Sequence, residues 1–399
     1  MGMATDAVRR TNLSQVLRIL HVEGPATRAQ ITAHTGLNRS TVGTLVGDLA
    51  EVGLVEEGEP RSTGGRGRPS PLVSVVPMRT AVLVIDVKVD SVAAGIVGLG
   101  GHRLPFHRLE RPRVRTGIEP TVDDLEALAR KALADLPAGQ HLFGIAVSIA
   151  GLVDRHTNTV SEGPNIGWTQ VPLPDLLLER LSLDLPAVMA NDGDAGVWAE
   201  HLRGAAIGVD DVVYLSGEVG LGAGVIVGGM PLGGAVGYAG ELGHMVVEPD
   251  GPRCGCGAQG CLELMVGEQA LLRRAGQTED GGRDALDAVL AAIVDGDEDA
   301  LAAVARTGHW LAIGIANIVN VFNPRMVVLG DMHALLHPHV IDQVELRLAA
   351  KSLVGRRSPV RVVASRLGDD ASAVGAAEFA LEPLLSDPLG ADLGTPATA

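Results

Sequence analysis

Residues 240–263 read GELGHMVVEPDGPRCGCGAQGCLE and hold all three cysteines of the chain, Cys254, Cys256 and Cys261. Nine residues separate His244 from Cys254, and four separate Cys256 from Cys261. Three thiolates and one imidazole supply the four ligands of a closed tetrahedral site. Glycines 255, 257 and 260 let the chain wrap tightly around an ion. Zn2+ is the expected ion. With no ligand position left open, it shapes a loop and attacks nothing. Three cysteines so close together form no disulfide framework, which fits a reducing compartment.

Outward from this segment, the 399-residue chain is long enough for two or three folding units. Apolar residues make up 46% and aromatics only 2%, so Ala, Val, Leu and Ile must build the core. No apolar run reaches the ~20 residues of a membrane span, and the first residues, MGMATDAVRRTNLSQ, lack the apolar core of a signal peptide. The expected location is the cytoplasm, with no membrane partner. The net charge of −16 is unevenly placed. Residues 1–70 hold eight Arg against seven acidic side chains, whereas the rest holds 24 basic against 41 acidic. Arg61, Arg66 and Arg68 concentrate positive charge in one short segment, the local footprint that nucleic-acid binding needs.

In the N-terminal part, residues 12–23 place Val16, Leu17, Ile19 and Leu20 on one helical stripe, with Asn12 as the expected cap and Gly24-Pro25 as the stop. Thr27 caps RAQITAHT. After Gly36-Leu37, Asn38 opens a helix that turns Val42, Leu45, Val46 and Leu49 inward. Two short helices around a Gly-containing turn make a helix-turn-helix. The strands LVEE and PLVSVV flank a basic, glycine-rich tip, completing a winged helix over 1–78. Asn38, Arg39, Ser40, Thr41 and Thr44 form the polar start of the recognition helix and are the candidate contacts to phosphates and base edges of double-stranded DNA. Gly65-Arg66-Gly67-Arg68-Pro69 resembles an AT-hook core, which sends Arg66 and Arg68 into a narrow A·T minor groove.

From Thr80 the pattern is α/β. AVLVIDVKVD, SVAAGIVGLGG and a strand near 102–109 precede a helix at 123–136 and the strand FGIAVSIAG. A second set is expected to begin with AVMANDGDAG, to continue through DVVYLSGEVGLGAGVIVGG and a long helix at 298–321, and to finish with MVVLG and a further helix and strand. The two related halves span 79–385, and 386–399 reads as a flexible tail.

The cysteine segment, together with EGPNIGW at 162–168 and NDGDA at 191–195, closely resembles the ROK family of repressors, open reading frames and sugar kinases. The resemblance spans nearly the whole chain. It implies the α/β fold of that family's repressors, a winged helix followed by a two-lobed actin/hexokinase-like (ribonuclease H-like) sugar-kinase body. It also implies that Asn165, Asn191, Asp192, Glu241, His244 and Glu263 line a sugar pocket, with His244 shared between zinc and pocket. In the family's kinases the residue matching Asp192 is the base towards the sugar hydroxyl.

The phosphate loops depart from the family's kinases. DxGGT is replaced by Asp86-Val87-Lys88-Val89-Asp90, GTGxGxG by Glu218-Val219-Gly220-Leu221-Gly222-Ala223-Gly224, and a GG pair by Gly330-Asp331. Bulky and acidic groups stand where backbone amides should meet a phosphate. The expectation is a sugar-responsive transcriptional repressor, not an enzyme, acting as a homodimer or homotetramer on an inverted repeat. Sugar closure of the lobes is expected to act through the connection at Val76–Thr80. Two other readings stand beside it: an active ATP-dependent sugar kinase carrying a DNA-binding domain, and a winged-helix protein that binds a protein partner through a ligand-free lobe.

Overall fold

In the computed structural model, which describes residues 2–58, 71–111, 117–391 and 395–396, the first helix, α1, spans Gly2–Val22. It runs through Asn12, which therefore caps nothing. ATDAVRRT ahead of Asn12 contains good helix formers and no breaker, so the helix extends towards the N-terminus. Leu13, Val16, Leu17 and Leu20 of α1 are buried. After β1 (Ala26–Thr27), Thr27 and Gln30 form a capping box at the start of α2 (Arg28–Thr35). At α3 (Arg39–Glu51), Asn38 Oδ1 accepts the Thr41 N–H at 2.9 Å. Val42, Leu45, Val46 and Leu49 of α3 point into the core. Strands β2 (Val55–Glu57) and β3 (Leu72–Val75) join β1 in a sheet of order β1-β3-β2. The wing tip, 59–70, with Arg66 and Arg68, lies outside the described residues.

The first lobe contains β4 (Thr80–Val87), β5 (Ser91–Gly98), β6 (His107–Glu110), α4 (Ile118–Asp135) and β7 (His141–Ile149). It continues with β8 (Leu152–Asp154), β9 (Thr159–Gly163), β10 (Trp168–Val171), α5 (Leu173–Leu181), β11 (Ala187–Asn191) and α6 (Asp192–Arg203). Its main sheet has the order β11-β7-β4-β5-β6, and β8, β9 and β10 form a small separate sheet. The parallel β4–β7 and β7–β11 pairs need crossovers, which α4 and α5 provide. AVMAN was expected to open the second half, but as β11 it pairs with β7, Ala187 opposite Ile145, and closes the first. A short apolar run announces a strand without naming its partner.

The second lobe comprises β12 (Val212–Gly217), β13 (Leu221–Val227), β14 (Met230–Pro231), α7 (Glu263–Val266), α8 (Glu268–Arg274), α9 (Gly282–Val294) and α10 (Glu298–Phe322). It ends with β15 (Met326–Gly330), α11 (Asp331–Lys351) and β16 (Arg361–Ala364), and its sheet order is β14-β13-β12-β15-β16. The last helix, α12 (Ala371–Ser386), returns to the first lobe and packs against α6, β7 and β4. One apolar core joins Leu13, Leu17 and Leu20 of α1 to Ala376, Leu381 and Leu384 of α12, so the winged helix is fused to the body by burial. Within the segment expected as a flexible tail, β17 (Thr395–Pro396) pairs with β7. Among the described residues no helix is long and apolar enough to cross a membrane.

Candidate functional site

Asp192 is the first residue of α6, directly beyond the end of β11, where a parallel strand hands its chain to a helix at the mouth of the sheet. Asn191 caps this helix: its Oδ1 accepts the N–H groups of Gly193 (2.9 Å) and Asp194 (3.2 Å), and its Nδ2 donates to Gly151 O at 3.1 Å. Asp192 Oδ1 takes the Gly193 N–H at 2.8 Å. Burial pushes the Asp192 carboxyl up to about 7, against the pull of that N–H and of Lys88. Beside it, burial raises Asp194 to about 6, although Arg155 Nη2 lies 2.6 Å from its carboxylate.

Asn165, Asn191, Asp192, Glu241, His244 and Glu263 all line one cavity of about 290 Å³. Its walls come from both lobes, since Asn165 follows β9 while Glu241, His244 and Glu263 follow β13. The lining is rich in carboxylates, which only accept hydrogen bonds when ionised, and so suits a ligand that presents a ring of hydroxyl donors. Asn191 lines the cavity with its amide already committed to the cap and to Gly151. Glu162, Ser216 and Glu218 also line it and were not singled out as sugar contacts. For Glu162 the signal was present, because it opens the EGPNIGW segment.

The metal-ligand set converges as well. One ligand atom from each of His244, Cys254, Cys256 and Cys261 lies within 4.8 Å of all the others. His244 Nδ1 is 3.7 Å from Cys254 Sγ, and Cys256 Sγ is 3.8 Å from Cys261 Sγ. A tetrahedron with zinc–sulfur bonds of 2.3 Å has edges of about 3.8 Å, so these two spacings match those of a zinc site. The loop closes because Gly260, at φ 72, lies so near Glu248 that a Cβ would sit 1.6 Å from the Glu248 carbonyl oxygen. Glu263 joins cluster and cavity: its Oε1 accepts from Cys254 Sγ at 2.7 Å and is 3.4 Å from His244 Nδ1. His244 Nε2 faces Glu241 at 3.9 Å, leaving one ring nitrogen on each side.

The three loop departures noted in the sequence meet in space. The Lys88 ammonium pairs with Glu218 and lies 3.2 Å from Asp331 Oδ1, while Ser216 Oγ donates to Asp331 Oδ2 at 2.5 Å. Burial works against the Lys88 charge, but Glu218 and Asp331 outweigh it and hold its pKa well above the ordinary value. Burial pushes Glu218 up, and the ammonium opposes that shift. The sequence by itself marks Glu218 as a charge that repels a phosphate and Asp331 as the loss of a glycine pair, each separately. Their pairing through Lys88 depends on bringing together β4, β12 and α11, which no local pattern reveals.

At the other end of the molecule, Asn38, Arg39, Ser40 and Thr44 are exposed and Thr41 is half-buried. The Asn38 side chain is engaged as a cap and also accepts from Ser40 Oγ at 2.7 Å, and Thr44 Oγ1 donates to Ser40 O at 3.2 Å.

A winged helix joined to a two-lobed, hexokinase-like body with a carboxylate-lined cleft defines the class of protein. The ROK family model matches residues 82–382, and the chain belongs to that family. It is similar to the xylose repressor of Bacillus spizizenii, 30% identical over 383 residues that cover 95% of this chain and 97% of the relative. The structure of a ROK family transcriptional regulator, a homolog of the E. coli MLC protein, superposes with a TM-score of 0.76 at 25% identity, over 96% of this chain and 98% of that one. A ROK glucokinase from Streptomyces griseus, solved with glucose and AMPPNP, matches 76% of this chain and 99% of its own, with a TM-score of 0.67 at 29% identity.

Proposed function

We propose that this protein is a sugar-responsive, DNA-binding transcriptional repressor whose kinase-like body no longer uses ATP. The observation that carries this reading is the Lys88–Glu218–Asp331 cluster, which lies at the positions that the ROK resemblance assigns to the nucleotide loops, in a chain that keeps the sugar cleft and adds a winged helix. Lys88 offers little to a phosphate, because two carboxylates already neutralise it. A phosphate charge 4 Å from one of those carboxylates meets a repulsion of about 4 kcal/mol at an effective dielectric of 20. The likeness to a xylose repressor along nearly the full length supports the same reading.

In the cleft, Asp192, Glu241 and Glu263 accept hydrogen bonds from sugar hydroxyls, and Asn165 both donates and accepts. The Asn191 amide holds Asp192 in place through the cap of α6. His244, Cys254, Cys256 and Cys261 would hold a structural zinc ion, whose chemistry is to fix the loop that carries Glu263 and His244. On the DNA side, Asn38, Arg39, Ser40, Thr41 and Thr44 lie along the major groove, and Arg66 and Arg68 reach the minor groove. The acidic body faces away from the duplex. Paired winged helices of a homodimer or homotetramer, in the cytoplasm, read an inverted repeat.

One feature favours an active kinase instead: Asp192 stands at the position of the kinase base, with a pKa of about 7 that suits proton abstraction. The deciding experiment uses full-length protein, a duplex selected from a random DNA library, a panel of sugars and sugar phosphates, and a coupled ATP assay. The expected result is DNA binding that one sugar alters, with no steady phosphoryl transfer. Steady transfer that Asp192→Asn abolishes overturns the proposal in favour of a kinase. A melting temperature that no sugar or sugar phosphate shifts overturns sugar sensing.

A further inference from the structure

Helix α6 has the sugar cleft at one end and the winged helix at the other. Asp192 begins it and Arg203 ends it, twelve residues that span about 18 Å. Arg203 Nη1 donates to the backbone oxygen of His21 in α1 at 3.1 Å, and Arg203 Nε donates to Glu378 Oε1 of α12 at 2.5 Å. His21 Nε2 lies 2.7 Å from the other oxygen of Glu378, and His21 Nδ1 accepts the Gly100 N–H at 2.9 Å. The side chains of His21 and Glu378 are fully buried. Arg203, His21 and Glu378 thus form a closed polar junction where the two domains touch, beside the apolar contacts of α1 with α12 and the more exposed Arg18–Glu382 ion pair.

In its first turn, at the cleft, α6 has little freedom to absorb a displacement. A Cβ on Gly375 of α12 would lie 1.7 Å from Ala195 O, and one on Gly193 would lie 2.2 Å from Ala223 O of β13. Backbone therefore packs directly on backbone on both flanks, with no side chain to rotate out of the way. The expected route through the connection after β3 is still present: Val76 N–H donates to Leu54 O, and Leu99 N–H to Pro77 O. That connection does not touch the cleft, whereas α6 begins in it.

We infer that α6 is the strut through which the cleft acts on the DNA-binding domain, with Arg203 as the positioning residue that hands its displacement to His21 and Glu378. This rests on the sugar-responsive reading above and names its route. A rigid element that contacts both sites couples them when occupancy of one moves it, and the coupling is reciprocal. Lysine at 203 keeps the charge but cannot bond both His21 O and Glu378 in a fixed fork.

The test measures DNA affinity of the full-length chain for the selected duplex with and without saturating D-xylose, and with D-glucose in parallel, together with the affinity for each sugar alone. Wild type is expected to change DNA affinity at least about tenfold with one of these sugars. Arg203→Lys is expected to keep sugar affinity within about threefold and to bind DNA, while the sugar effect on DNA falls below about threefold. The double variant Arg203→Met/Glu378→Leu removes both charges of the junction together, so that neither is left without its counter-ion, and is expected to behave the same way. Hydrogen exchange on wild type needs no variant: sugar is expected to change protection in residues 17–23 and 98–102. A folded variant that keeps the tenfold effect, or unchanged exchange in both segments, overturns the strut. A wild type that binds sugar and DNA with no influence of either on the other overturns the sugar-responsive reading itself, and the strut with it.

Discussion

The Lys88 ammonium lies 3.2 Å from the Asp331 carboxylate, joining the turn after the β4 strand to the first residue of the α11 helix across the interlobe cleft. Both side chains are about nine-tenths buried, and Glu218 completes the set. Removing one partner of a buried pair costs more than replacing the whole set, because the charge left behind has lost its counter-ion.

Lys88→Met is therefore expected to destabilise the protein by about 3–5 kcal/mol. Adding Glu218→Gln and Asp331→Asn to it should recover most of that loss. Chemical denaturation of the single and triple variants measures this, and equal stability of the two would show that the charges are not coupled.

The pH dependence of Asp192 has a definite sign. Burial raises its folded pKa from 3.8 to about 7, so between those values the folded chain keeps a proton that the unfolded chain releases. Its contribution to stability falls as pH climbs through that window and is level above it. Asp192→Asn carries no such charge and should gain stability over wild type by at most about 1.4 kcal/mol per pH unit within the window. Denaturation at pH 4.5 and pH 8 reads this difference. The same variant should also weaken sugar binding most above pH 7, where the wild-type carboxylate is ionised.

Metal removal should reach the sugar. Purified protein is expected to carry one zinc per chain by elemental analysis. Cys261→Ser, at a fully buried ligand, or prolonged chelation, should lower both the melting temperature and the sugar affinity, the latter by at least about tenfold. Loss of zinc with unchanged sugar affinity would separate the loop from the cleft.

On the DNA side, Asn38→Ala should lower stability by about 1 kcal/mol, because its amide caps the α3 helix. Arg39→Ala should weaken DNA binding and reduce the salt slope of the binding constant by about 1 while leaving sugar affinity unchanged. Fluorescence anisotropy at several salt concentrations distinguishes these effects, and an unaltered slope would remove Arg39 from the phosphate contacts.

Much of this protein could be read along the chain. The metal-ligand set lies within eighteen residues of sequence, His244 to Cys261, and the helix caps at Thr27 and Asn38 and the buried face of the recognition helix follow from spacings of three and four residues. Each of these depends on neighbours in sequence, so composition and spacing determine them. The first helix starts well before Asn12, because an asparagine can cap but need not, and the β11 strand belongs to the first half and not to the second, because an apolar run does not name its partner.

Only the tertiary structure decided what residues far apart in the chain do to one another. It turned Lys88, Glu218 and Asp331 from three separate departures into one neutralised cluster, and it committed the Asn191 amide to a helix cap. It also buried His21 against Glu378, 357 positions away, and brought Arg203 to both. Charge and hydrogen-bond energies depend on distances of a few ångströms and on exclusion of water, and those quantities exist only once the lobes and the winged helix have packed.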